Sequence, residues 1–91
     1  SSPDIPATID GSSVLNPLIV GTGRPIILAP LPVSGSGPTT YAVTGTTGDV
    51  TCQIGHTQSQ TYLRVQGPNG SCTIVGTKDG ESSNPLTVSV P

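Results

Sequence analysis

Few residues of this chain have the types and spacing that chemistry needs. They are Cys52 and Cys72, the single histidine His56, the acidic turn Asp79-Gly80-Glu81, and Asn69 ahead of Gly70-Ser71. His56 carries the only side chain with an ordinary pKa near neutrality. A nucleophilic triad would need a Ser or Cys, this histidine and an orienting acid brought together. The surrounding GHTQSQ holds no carboxylate, so His56 reads as a solvated loop residue. Zinc takes three or four ligands; His56, Cys52 and Cys72 make three at most, and a bridge is the better account of the cysteines. Asp79-Gly80-Glu81 lacks the D-x-D-x-D-G spacing of a calcium loop and reads as a turn. Gly21-Thr22-Gly23 and Gly35-Ser36-Gly37 are poor phosphate loops, because no helix start follows either one. Asn69-Gly70-Ser71 fits the N-glycosylation pattern, and an Asn-Gly turn explains the same residues. The expectation is a protein with no catalytic residues, no metal and no cofactor, and not an enzyme.

Two cysteines in a short, Thr/Ser-rich chain with one lysine point to a single disulfide and an oxidising compartment. The alternative is two buried free thiols. On one flat three-strand meander the cysteine strands would stand roughly two ~4.8 Å spacings apart, while a disulfide needs Cα atoms within ~7 Å. A bridge therefore predicts cysteine strands in opposite sheets, or one strand that changes sheets.

Composition sets the elements that must position these residues. Ninety-one residues make one domain with a modest core, and 32% hydrophobic content without Phe, Trp or Met leaves Val, Ile, Leu, Ala and Pro to fill it. Charged residues are only 9% and the balance is −2, so no basic patch exists for nucleic acid or an anionic membrane surface. No apolar run is long enough to span a bilayer. A chain opening SSPDIP without Met reads as a mature form or a fragment of something longer.

Apolar residues alternate at period two almost throughout, and no stretch keeps a 3.6 period. Candidate strands run through Ile5-Ala7-Ile9, Val14 to Val20, Ile26 to Val33, Thr39 to Thr44, Val50 to Ile54, Thr61 to Val65, Cys72 to Gly76 and Leu86 to Val90. Pro30 and Pro32 should take the third of these out of its sheet or to an edge. Gly67-Pro68-Asn69-Gly70 predicts a hairpin turn. Tyr62 and Arg64 face away from Leu63 and Val65, either as an exposed interface row or as ordinary cross-strand pairs. Eight short strands, no helix and regular Gly/Pro punctuation predict an all-β sandwich or barrel.

From Val14 onward the chain resembles the bacterial Ig-like repeats of large surface and secreted proteins. PIILAPLPVSGSGPTTYAVTG is similar to their second and third strands, DVTCQI and NGSCTIVGTKDG to the two cysteine-bearing strands, and LTVSVP to the closing strand. There is no Trp on the third strand, and Gly70 stands two residues before Cys72 where antibody-type domains carry a Tyr. The resemblance implies an Ig-like β-sandwich of about seven strands over residues 14–91, serving as stalk, spacer or adhesive module, with no active site. Residues 1–13 then form an additional N-terminal extended segment. Its Ile5, Ala7 and Ile9 have three open uses: first strand of their own domain, linker, or a strand donated to a neighbour. The expected function is a structural subunit of an extracellular or cell-surface assembly whose partners are copies of itself or neighbouring Ig-like domains. Ile5, Ala7, Ile9, Tyr62 and Arg64 are the candidate interface. The alternative is a binding module for carbohydrate, ice or a host receptor.

Overall fold

Period-two alternation becomes ten short strands and no helix among the described residues. A computed structural model describes residues 2–14, the backbone of Leu18–Ile19, and residues 25–91. The strands are β1 (Ala7–Ile9), β2 (Ser12–Ser13), β3 (Leu18–Ile19), β4 (Pro25–Leu28), β5 (Thr39–Gly48), β6 (Thr51–His56), β7 (Thr61–Gln66), β8 (Gly70–Lys78), β9 (Glu81–Ser82) and β10 (Leu86–Val90). They form two sheets. The first has the order β2-β1-β4-β7-β6; the second has β3-β10-β8-β5, with β9 beside β8. All described pairs are antiparallel except β3 with β10, where Leu18 stands opposite Val88. β1, β4, β7 and β6 have the order of the ABED sheet of an immunoglobulin-type sandwich, and β5, β8 and β10 that of its CFG sheet.

The N-terminal segment is built into the first sheet: Ala7 pairs with Leu28 and Thr8 with Ile27. At each of two Asp-Gly turns both central residues have positive φ, Asp10-Gly11 at 51° and 82° and Asp79-Gly80 at 50° and 82°. That is the type I′ geometry whose twist suits a two-residue hairpin. It closes β1 on β2 and β8 on β9.

Side chains from both sheets meet in one aliphatic core. Ile26, Leu28, Leu63 and Val65 come from the first sheet, and Cys72, Ile74, Leu86, Val88 and Val90 from the second. Ile5, Ala7, Leu31 and Val50 complete it. The faces follow the alternation in the sequence: β10 buries Leu86, Val88 and Val90, and β8 buries Cys72, Ile74 and Gly76. β4 ends at Leu28, ahead of Pro30 and Pro32, as a strand without ladder donors must. Leu31 then turns back into the core, its N–H donating to Thr39 Oγ1 at 3.2 Å.

Two connections differ from the sequence reading. Gly67 to Asn69 makes no hairpin, because β7 lies in the first sheet and β8 in the second; the turn carries the chain across the sandwich. Positive φ falls on Gly67 and Gly70 and not on Asn69. The Asn69 carbonyl accepts from the Asp49 N–H at 2.9 Å, locking this crossing to the β5–β6 crossing beside it. β5 also runs on through Gly45 to Gly48, beyond the Thr44 at which the candidate strand ends. The register slips between Val43 and Gly45, so Thr44 is an extra residue on β5. Beyond it Thr46 and Thr47 keep the ladder with Cys72 and Ser71, and β-branched side chains offset the neighbouring glycines.

Candidate functional site

Cys52 on β6 and Cys72 on β8 form a disulfide with a Cα–Cα distance of 6.6 Å. Their strands belong to opposite sheets, the first of the two arrangements that bring the Cα atoms within bridging distance. Sheets packed face to face usually stand ~10 Å apart, so the bond draws the two layers together here. Cys72 is 1% exposed and Cys52 half-buried, which makes the bond part of the core.

His56 is exposed and ends β6 opposite Thr61. Its Nδ1 lies 3.2 Å from Thr61 Oγ1. Thr57 and Gln60 close the tight turn that follows, the Thr57 N–H donating to the Gln60 carbonyl at 2.8 Å. This turn, the end of β4 and the start of β5 border an open cleft of about 460 Å³, to which Ala29, Thr39, Tyr41, His56, Gln60 and Thr61 contribute. The Tyr41 hydroxyl donates to the Ala29 carbonyl. Burial pushes the Tyr41 phenol from 10.0 up to about 12, so it stays a neutral donor at any ordinary pH. Among the described residues that line it, the cleft offers hydroxyls, amides and one imidazole, with no nucleophile, base and acid in line. No cluster of three or more His, Cys, Asp and Glu that could hold a metal ion exists among the described residues.

Tyr62 and Arg64 lie on the outer face of β7, Tyr62 half-buried and Arg64 exposed. With Gln53, Ile54 and Gly55 they line a shallow depression of about 220 Å³. Gly55 stands opposite Tyr62 in the ladder, and the phenol ring occupies the space a side chain at position 55 would need. Ile5 and Ala7 are 6% and 4% exposed, and Ile9 packs against the same core. Asn69 is exposed at the sheet crossing.

Two groupings were not legible beforehand. The 34–37 loop closes over the Asp79 carboxylate, with the Gly37 N–H donating to Asp79 Oδ2 at 3.3 Å. The anion facing this glycine loop is the chain's own. Asn84 gathers the N-terminus: its N–H donates to the Pro3 carbonyl at 2.8 Å, and its Nδ2 donates to the Ser2 carbonyl at 3.1 Å and to Asp4 Oδ1 at 2.9 Å. The only sequence signal for that role is the Asn-Pro pair, which marks a turn. In comparisons with known proteins, no family model, no curated protein and no solved structure matches this sequence.

Proposed function

We propose that this chain is a structural module of an extracellular assembly, a stalk repeat or filament protomer that holds distance and carries neighbours. The observation that carries the reading is the path of the chain. Residues 2–4 are fastened to Asn84, just ahead of β10, and β10 then runs to Val90 opposite Gly70 at the other end of the sandwich. At ~3.3 Å per residue, the incoming and outgoing segments are separated by roughly 20 Å along the strand direction. Modules that receive the chain at one pole and release it at the other stack in line, and the longest dimension of this one is 39 Å. The disulfide is consistent with an oxidising, extracellular setting. Electron microscopy of native material tests the proposal. Beaded stalks or filaments with a repeat near the 39 Å long axis are expected, and isolated single particles would overturn it.

A second reading, a carbohydrate-binding module, draws on the cleft beside His56 and Tyr41, whose hydroxyl and amide groups suit a polyol. Tyr41 is the one phenol ring among the described residues on its border, and it is tied to Ala29. A glycan array without signal at high protein concentration removes this reading.

A further inference from the structure

The two sides of the sandwich are guarded very differently. On one side the outermost strands among the described residues are β2 and β3, two described residues each. On the other they are β6, six residues, and β5, ten. Natural sheets blunt an outer strand by shortness, charge or proline, because its free N–H and C=O groups are a template for another strand. β5 reads TTYAVTGTTG, with no charge and no proline, and among the described residues it pairs with β8 alone. Every residue from Thr44 to Gly48 is exposed.

We infer that the outer edge of β5 pairs antiparallel with β5 of a second copy of this chain, across a twofold axis between Val43 and Thr44. Three observations select that occupant. A ladder is no longer than its shorter strand, and β5 is the longest strand edge left open among the described residues. A twofold sets a strand against its own sequence, and a strand without charge opposes no like charges when it does so. The third is the register. Opposed residues of a ladder must share a face, and in a regular ten-residue strand full-length self-pairing violates this, setting inner residues against outer ones. Here the extra Thr44 corrects the mismatch. Opposite β8, Thr40 and Ala42 occupy the same face as Gly45 and Thr47, while Thr39 and Tyr41 share the other with Thr46 and Gly48. Full-length self-pairing then opposes Thr40 to Thr47, Ala42 to Gly45, Tyr41 to Thr46 and Thr39 to Gly48, each within its own face.

The inference rests on the reading of the chain as an assembly module, and it names the lateral contact of that module. Sedimentation equilibrium of the full oxidised chain, up to about millimolar, reads it. A concentration-dependent dimer is expected. Thr40→Lys with Thr47→Lys places like charges opposite each other twice and should weaken it about tenfold or more, whereas Thr40→Lys with Thr47→Glu places opposite charges together and should strengthen it. Hydrogen exchange of the unaltered chain needs no variant, and β5 amides should slow as concentration rises. A monomer at every concentration, a dimer that both double variants shift alike, or protection confined to another strand overturns the pairing. A monomer that microscopy nevertheless finds in filaments sinks the lateral contact alone. A β5 dimer with no higher assembly sinks the assembly reading alone.

Discussion

Removing the disulfide is the sharpest test of how this small core holds. The perturbation is the double substitution Cys52→Ala with Cys72→Ala, which leaves no buried free thiol behind. The bond closes a loop with a sequence separation of 20. In the chain-entropy account, a loop of that length restricts the unfolded chain by about 3 kcal/mol at room temperature. Truncating Cys72, 1% exposed, adds about 1 kcal/mol of lost burial and packing. The expected loss is therefore about 4 kcal/mol, against a total of roughly 5–14 kcal/mol for a domain of this size. Equilibrium urea unfolding followed by far-ultraviolet circular dichroism measures it, since the chain has no Trp. With a slope near ~1 kcal/mol per molar urea, the midpoint should fall by about 4 M, and a chain at the low end of the range would keep only about 1 kcal/mol, with roughly a sixth of the molecules unfolded without denaturant. Reducing the unaltered protein keeps both sulfur atoms and should recover about 1 kcal/mol of that loss. A double variant within about 1 kcal/mol of the parent would refute the reasoning that closing this loop stabilises the fold by about 3 kcal/mol.

Ser83 is 6% exposed, and its hydroxyl accepts from the Gly76 N–H and donates to the Asn84 carbonyl, both at 2.9 Å. Ser83→Ala leaves the Gly76 amide buried without that partner and should cost about 1–3 kcal/mol, a fall in Tm of roughly 5–20 °C by calorimetry; an unchanged Tm would contradict it. Gly67 has φ +133°, and a Cβ there would run into the Asp49 carbonyl, whereas Gly11 has φ +82° with open space around it. Gly67→Ala should therefore cost about 2 kcal/mol or more and Gly11→Ala nearer 1, and equal losses in urea unfolding would argue against the packed crossing. The raised Tyr41 pKa carries a sign. Between pH 10.0 and about 12 the unfolded phenol gives up its proton while the folded one keeps it. Stability present below 10.0 is then lost as pH rises through this window and levels off above it. In a Tyr62→Phe background the remaining phenolate absorbance should titrate with a midpoint near 12, and a midpoint at 10.0 would show Tyr41 to be solvated.

Faces were legible in the sequence because a strand's alternation reports which side is apolar. The buried sets Leu63-Val65, Cys72-Ile74 and Leu86-Val88-Val90 follow from it directly. Partners were not legible by that route. The Thr61–Gln66 and Gly70–Lys78 strands alternate just as hairpin arms would, yet they lie in different sheets. What decides this is the disulfide: the distance limit on Cα atoms rules out a flat meander, so the cysteine spacing carried topology that the turn residues misreported. The β5 extension was missed because Gly45 looks like a strand end when Thr44 is not known to be an extra residue. Ser83 and Asn84 carry no sequence signal beyond the Asn-Pro turn, since only the fold shows that a neighbouring amide and the N-terminus point at them.

The N-terminal segment brings fold and function into direct competition. Ile5, Ala7 and Ile9 would be the anchors of a donated strand, and the same residues pack in the chain's own core while β1 pairs with β4. Both arrangements bury the same side chains in the same groove, so contact energies favour neither. Connectivity decides: a tethered strand meets its groove at an effective concentration of roughly millimolar, above that of most neighbours in solution. Burying Ile5 and Ala7 contributes roughly 3 kcal/mol, before the ladder to β4 is added. Deleting residues 1–10 should therefore abolish cooperative unfolding in circular dichroism, and a peptide of residues 1–10 added at about millimolar should restore it. The opposite outcome is equally clear. A shortened chain that unfolds cooperatively at the parent's midpoint, and only fails to assemble, would mean that the segment serves a neighbour and that β1 in its own sheet is a resting position.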